Sequence, residues 1–347
     1  MADVLTRIEL KNFRCFPSRL VELGNELNFL LGPNAQGKTS VLEAISVLLR
    51  LKSPCTNTLL EAITFGKEAF LLEGNYGGKH LSLRFSPKHQ PQRLLKIDDV
   101  PQQERVDYLK RSSVVWFSRE DLSIIHGPGE KRRRFLDSAG LQLYDDYREH
   151  FLCYYRALRS RNMLLKERRP LSQIESYHPP LAKHGEALLR LRATLLDALL
   201  PYLLDTCEAI SGEKLLLTYQ PGVRKPLQEA LENSLAEERK LGMTIVGPHR
   251  DDLLLTLNDL PVASFGSQGQ CRTVALALKL AITKLLYAEK KRPPLLLLDD
   301  IFGELDRHRR QALLLHIPKG SQAIFTTTEL PVEEAPAEAS FLTFGKL

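Results

Sequence analysis

The run "GPNAQGKT" at 32–39 constrains this chain more than any other stretch. It fits G-x-x-x-x-G-K-[ST] in full, follows the strand-like "LNFLLG" and opens the helical pattern "KTSVLEAISVLLRLK". Gly32 and Gly37 free the backbone to turn N–H groups toward phosphate oxygens, and the helix start adds partial positive charge there. Lys38 then reaches β and γ phosphates, and the Thr39 hydroxyl is a ligand for Mg²⁺. The expected ATP cradle is therefore Gly32, Pro33, Asn34, Ala35, Gln36, Gly37, Lys38, Thr39 and Ser40.

A phosphate loop needs a carboxylate to complete its metal site, and "LLLLDDIFGELD" at 295–306 supplies one. Its continuous apolar run reads as a strand buried on both sheet faces. Asp299, at the strand's end, is placed to hold Mg²⁺ directly or through water. Asp300 follows and is placed to orient or deprotonate the attacking water. A plain helix cap is the competing reading of this pair; beside a P-loop the nucleotide reading prevails.

Around these motifs the chain alternates in character. Up to about residue 118 it reads as strands and turns about one helix, with "FLLEGNYGGKHLSLRFS" a hairpin and "RSSVVWFS" a further strand. From 119 to 240 it is mainly helical, in two long patterns separated by a Pro-containing loop at 170–180. Strand character returns in "EKLLLTY" and "DDLLLTLNDLPVASF", where "LNDLP" reverses the chain; a helix over about 270–290 stops at "KKRPP". A helix at 306–316 and a strand "QAIFTTT" precede a tail rich in Glu, Ala and Pro. The expectation is one α/β head, 1–118 and 241–347, interrupted by a helical lobe at 119–240.

Composition removes several classes. No stretch approaches the ~18 apolar residues of a membrane span, and the start alternates apolar and polar residues with no signal-peptide core. The five scattered cysteines form no CxxC or Cys/His cluster, so a cytoplasmic protein without a disulfide framework or zinc site is expected. The net charge is +6, and 105–170 alone holds fifteen Lys/Arg against nine Asp/Glu, an excess of six. Such concentration suits a polyanion, although a solvated basic helix surface reads the same way.

"SQGQ" (Ser267, Gln268, Gly269, Gln270) stands just before a helix and ahead of the Asp299 strand. It resembles the signature loop of ABC-type ATPases, in which this loop contacts the γ-phosphate held by the other subunit's P-loop. A simple helix cap by Ser267 is compatible with that role. Together, "IELKNFRCF", "GPNAQGKTSVLEAI", "EDLSIIHGPGEKRRRFLD", "GPHRDDL", "SQGQCRT" and "LLLLDDIFGELD" resemble the RecF family of bacterial DNA gap repair over essentially the whole length. An SMC head would need hundreds of heptad residues between P-loop and signature; here there are about 230 without heptads.

The resemblance implies an ABC-ATPase head, a P-loop fold with a mixed sheet, carrying an inserted helical second lobe. It implies an ATP-dependent homodimer on gapped or junction DNA, acting with RecR and RecO in recombinase loading. Arg14 is implied near the nucleotide phosphates, and Asp306 as the D-loop aspartate of the dimer interface. The basic lobe would neutralise DNA phosphates through Lys131, Arg132, Arg133, Arg134, Arg156, Arg159 and Arg161, without base reading. Aspartate at 300, where transporters and SMC heads carry glutamate, implies a weak, DNA-stimulated ATPase that serves as a switch. Glu120 stands where ABC ATPases carry the Q-loop glutamine, and Thr327 or Thr328 replaces the switch histidine. The rival reading is an ABC-type subunit that does not act on DNA, in a transporter or another SMC-like head; a transporter subunit would carry its signature loop much closer behind the P-loop.

Overall fold

Alternating apolar and polar residues in "LTRIELKNF" form strand β1 (Leu5–Phe13), in which Leu5, Ile8, Leu10 and Phe13 are buried, with a register shift between Leu5 and Arg7. In the computed structural model, which describes residues 3–328 and 339–345, β1 pairs antiparallel with β2 (Phe16–Glu22). The chain then enters β3 (Leu27–Leu31) and helix α1 (Lys38–Arg50). Strands β4 (Phe70–Tyr76) and β5 (Lys79–Phe85) make the expected hairpin; its two-residue turn, Gly77 and Gly78, takes φ 56° and 74°, the doubly positive geometry that matches strand twist. β6 (Arg93–Ile97), β7 (Val100–Pro101), α2 (Arg105–Leu109) and β8 (Val114–Ser118) complete this stretch.

Two units divide the chain, one running to Arg119 and resuming at Leu286, the other Glu120–Leu285. The second unit holds α3 (Ser123–His126), α4 (Gly129–Leu143), α5 (Tyr147–Lys166), α6 (Leu171–Glu175), α7 (His178–Ser211), β9 (Leu215–Gln220) and α8 (Leu227–Leu241). β10 (Asp252–Leu257), β11 (Leu260–Pro261), α9 (Val262–Phe265) and most of α10 (Gln268–Lys290) follow. Its helical core gathers Tyr147, Tyr154, Leu158, Leu181, Leu188, Leu227 and Leu231. The "LNDLP" reversal is a β10–β11 hairpin whose turn residues Asn258 and Asp259 both take positive φ.

The first unit closes with β12 (Leu295–Asp299), α11 (Arg307–His316), β13 (Ala323–Thr327) and β14 (Ser340–Thr343). Its strands form a six-stranded antiparallel sheet, β2-β1-β4-β5-β6-β7, and a five-stranded parallel sheet, β14-β3-β13-β12-β8. One core spans both, with Ile8, Leu72 and Leu83 of one sheet and Leu297 and Ile324 of the other packed with Leu42 and Ile45 of α1.

Three expectations change. The loop expected at 170–180 contains α6, and α7 starts at His178, because Pro179 and Pro180 in a first turn lack only N–H groups that have no helical partner there. "VASF" is a helical turn instead of a strand end. The Glu-, Ala- and Pro-rich stretch expected as a tail lies largely outside the described residues, but "SFLT" after it adds a strand beside β3, a pairing that four residues without strong alternation do not announce.

Candidate nucleotide site

Register builds the site. Leu31 of β3 lies opposite Thr327, Thr326 opposite Asp299, and Asp299 opposite Ser118. The carboxyl ends of four parallel strands thus lie in one row, where open α/β sheets bind ligands. The P-loop leaves β3 at this edge. Gly32 has φ 151°, and a Cβ there would come within 2.3 Å of the Phe344 carbonyl oxygen, just beyond β14. Gly37 has φ 81°, and its Cβ would meet the Phe16 ring at 2.4 Å. Both glycines are required by φ and by close approach together.

The loop bounds a cavity of about 450 Å³, lined by Arg14, Asn34, Ala35, Gly37, Lys38, Thr39, Ser40, Asp300 and Thr326 among others. Lys38, 7% exposed, donates from Nζ to the carbonyls of Gly32 (2.5 Å) and Pro33 (2.7 Å). Burial pulls its ammonium below the ordinary lysine range, and Asp300 and Asp299 oppose that shift.

Beneath the cavity, Thr39 Oγ1 donates to Asp299 Oδ1 at 2.7 Å, and Thr326 Oγ1 donates to the same oxygen at 2.9 Å. Thr326 in turn accepts the Asp300 N–H at 2.8 Å. Burial raises the Asp299 carboxyl above the usual aspartate value, against the two hydroxyl donors. A threonine hydroxyl and a carboxylate meeting at one point suit Mg²⁺, which takes one or two protein oxygens and completes its shell with phosphates and water. Asp300 adopts φ 52°, and its Oδ2 accepts from Arg119 Nη2 at 2.5 Å. Arg119 Nε also lies 3.3 Å from Glu304.

Arg14 lines the same cavity, with Nε and Nη2 both bonded to the Glu43 carboxylate at 2.7 Å and Nη1 to the Glu61 carbonyl. Glu43 is 2% exposed and also accepts from Ser53. Sequence reasoning missed Glu43, Arg119 and Thr326. Glu43 reads there as one polar position of a helix, and Arg119 is one cation in a basic segment. On β13 it is Thr326 that bonds Asp299, the residue before the two that the sequence suggests. Glu120 is exposed, 3.9 Å from Lys131 Nζ.

Ser267, Gln268, Gly269 and Gln270 belong to the second unit. Ser267 Oγ accepts from the Gln270 N–H (3.2 Å), while Gln270 Oε1 accepts from the Ser267 N–H (2.8 Å). This reciprocal pair is a capping box at the start of α10. Gln270 Nε2 is tied to Glu213 at 2.6 Å. Asp306 caps α11, accepting the Arg309 N–H at 2.9 Å, which holds its carboxyl below the usual value.

The basic candidates separate. Arg161 is fully buried and cannot touch DNA: it bonds Glu238 (2.6 Å), Thr244 (2.7 Å) and His178 (3.2 Å). Arg132 is likewise structural, a bidentate partner of Asp252 that also donates to the Gly127 carbonyl. Arg133 is half-buried and donates to the Asp251 carbonyl at 2.7 Å. The "GPHRDDL" run thus anchors the second unit: Asp251 is fully buried and accepts from Arg192 and Tyr219, both at 2.6 Å. Its His249, half-buried and bonded to Tyr154, has its pKa pulled down to about 4 by desolvation and stays neutral. Lys131 keeps partial exposure, and Arg134, Arg156 and Arg159 are exposed.

Residues 4–110 match the AAA ATPase domain family. The DNA replication and repair protein RecF of Rippkaea orientalis (strain PCC 8801 / RF-1) is 36% identical over 94% of this chain and 93% of its own length. The chain belongs to the RecF family. RecF of Bacillus cytotoxicus is 34% identical over 94% and 92% of the two chains. A solved structure of the recombination mediator protein RecF-ATPrS in the RecFOR pathway superposes with a TM-score of 0.87 at 28% identity, covering 99% of this chain and 96% of that one. An Smc head bound to the C-winged helix domain of ScpA superposes at 0.56 with 13% identity, over 94% and 89%, a likeness of fold alone. The RecF fold is therefore an ABC-ATPase head, and the sheet order and P-loop described above are its parts in this chain. The reading as a transporter subunit is not favoured.

Proposed function

We propose that the protein binds ATP with Mg²⁺ in the P-loop cavity, closes into a two-fold homodimer on it, and acts as a slow, DNA-stimulated ATPase in the repair of gapped DNA. The observation that carries this reading is the 2.7 Å contact of Thr39 with Asp299, which joins the P-loop helix to the end of β12. Lys38 leaves the Gly32 and Pro33 carbonyls for the phosphates, and the helix start behind it supplies backbone donors. Thr39 and Asp299 hold Mg²⁺, which when bound neutralises phosphate charge. Asp300 orients the attacking water, and its short side chain keeps turnover slow. Ser267, Gln268, Gly269 and Gln270 complete the site of a second copy, presenting the capped start of α10 to its γ-phosphate; Asp306 lies at that interface.

ATP favours the closed dimer because it contacts both copies, and hydrolysis removes the preference. In domain terms, 119–240 is the lobe facing DNA through Lys131, Arg134, Arg156 and Arg159, and the ATPase head proposed for 1–118 with 241–347 takes its 241–285 part, the signature loop included, from the second unit. The RecFOR pathway of the solved relative supports RecO and RecR as partners. Among the described residues no helix is long and apolar enough to cross a membrane, and a cytoplasmic site of action fits the DNA substrate. Light scattering with a slowly hydrolysed ATP analogue, with and without gapped duplex, tests the proposal. Dimers are expected only with nucleotide, and Ser267→Arg is expected to abolish them; nucleotide-independent association would refute it.

A further inference from the structure

A second cavity, of about 290 Å³, lies where strands of the parallel sheet begin, at the edge opposite the nucleotide site. Lys110 and Arg111 stand just before β8, and Lys290 and Arg292 just before β12. The Leu295 N–H donates to the Ser113 carbonyl at 2.8 Å and holds the two segments side by side. Asp3 and Tyr76 complete the wall. Four cations thus meet one carboxylate, and that carboxylate is 3.4 Å from Arg292. Two of them, Lys110 and Lys290, stand at the carboxyl ends of α2 and α10, where positive charge is favourable. Arg111 and Arg292 have no such reason, and both are exposed. The basic run "KKRPP", which reads in sequence as a helix stop, is one side of this pocket.

We infer that this pocket receives phosphates of a nucleic-acid backbone, independently of base sequence. Lys110, Arg111 and Arg292 are exposed and Lys290 is half-buried, as suits a polymer passing over the surface better than a small anion enclosed by it. The only aromatic ring among its described lining residues is that of Tyr76, 4% exposed and unavailable for base stacking. The five residues of β12 separate the pocket from Asp299 by about 17 Å, so it is not part of the ATP cavity. The inference rests on the DNA-binding reading above and extends it from the helical lobe to the ATPase unit.

The test measures fluorescence anisotropy of a labelled duplex with a single-stranded extension between 50 and 200 mM salt, using the full chain and the K110Q/R111Q/K290Q/R292Q variant. The expected result is at least a tenfold loss of affinity at 100 mM salt, with the log–log salt slope shallower by about two to three. ATP-dependent dimerisation should be unchanged. If the quadruple variant fails to fold, R111Q/R292Q carries the test, with about half the slope change. A wild-type chain that does not bind DNA overturns the functional reading and this site with it. A wild type that binds and a folded variant that binds equally, with the same slope, overturns this site alone. So does a variant that merely melts earlier, which would leave the cations a helix-end role. Inorganic pyrophosphate protecting the wild type against heat, with DNA binding indifferent to the substitutions, would identify a free-anion site and overturn the backbone assignment.

Discussion

Thr39 Oγ1 and Asp299 Oδ1, 260 positions apart in sequence, lie 2.7 Å apart in the fold. No strand joins them directly. β3 delivers the P-loop and β12 delivers Asp299, with β13 between them contributing Thr326. The metal site is consequently a property of strand order.

Asp299→Asn is expected to stabilise the protein without nucleotide while removing ATP hydrolysis. Burial raises the Asp299 carboxyl, so the folded chain holds its proton more tightly than the unfolded chain. Stability therefore falls as pH rises from the unfolded aspartate value through the raised folded one, and above that the penalty is constant. Melting curves should show the asparagine variant ahead by about 2 °C at pH 7, with the lead vanishing near pH 3. A lead that grows toward acid pH would contradict the burial argument.

Lys38→Met should keep the fold, since methionine fills the buried stem, and should lose nucleotide binding. The expected change is at least a hundredfold in the dissociation constant of a fluorescent ATP analogue, about 2.7 kcal/mol. Binding within threefold of wild type would remove Lys38 from the site.

The Arg14–Glu43 pair predicts non-additivity. Arg14→Ala leaves a 2%-exposed carboxylate with Ser53 as its remaining side-chain donor, so a loss of about 2–4 kcal/mol is expected. Arg14→Met with Glu43→Leu should lose less than Arg14→Ala alone. Urea denaturation of the single and double variants reads the difference.

Arg161 and Arg159 should behave oppositely. Arg161→Ala strands the fully buried Glu238 and is expected to destabilise by about 3–5 kcal/mol. Arg159→Glu, at an exposed position, should leave the melting temperature within a degree and weaken DNA binding in a salt-dependent way. If Arg161→Ala lowered DNA affinity at full stability, its structural assignment would be wrong.

Ser267→Ala removes half of the capping box and should lower stability by about 1 kcal/mol. In the same samples ATP-dependent dimerisation should weaken by more than that loss accounts for. Equal effects would reduce the serine to a cap.

What the sequence by itself determined was local. The P-loop, the two hairpin turns and the buried run before Asp299 each state a backbone requirement within a few residues, and a linear reading can carry that. The tertiary structure decided what depends on distant partners. Arg161 and Arg159 are two positions apart on one helix and read alike as basic surface. Only packing against Glu238 and Thr244 buries the first and leaves the second in water. Glu43 became the clamp of Arg14, and Thr326 the partner of Asp299, because strand order brought them there. Four cations from two segments 180 residues apart became one pocket because β8 and β12 start side by side. Charge and hydrogen-bonding capacity are written along the chain, but which partner satisfies them depends on register and strand order, and those are settled only when the sheet is assembled.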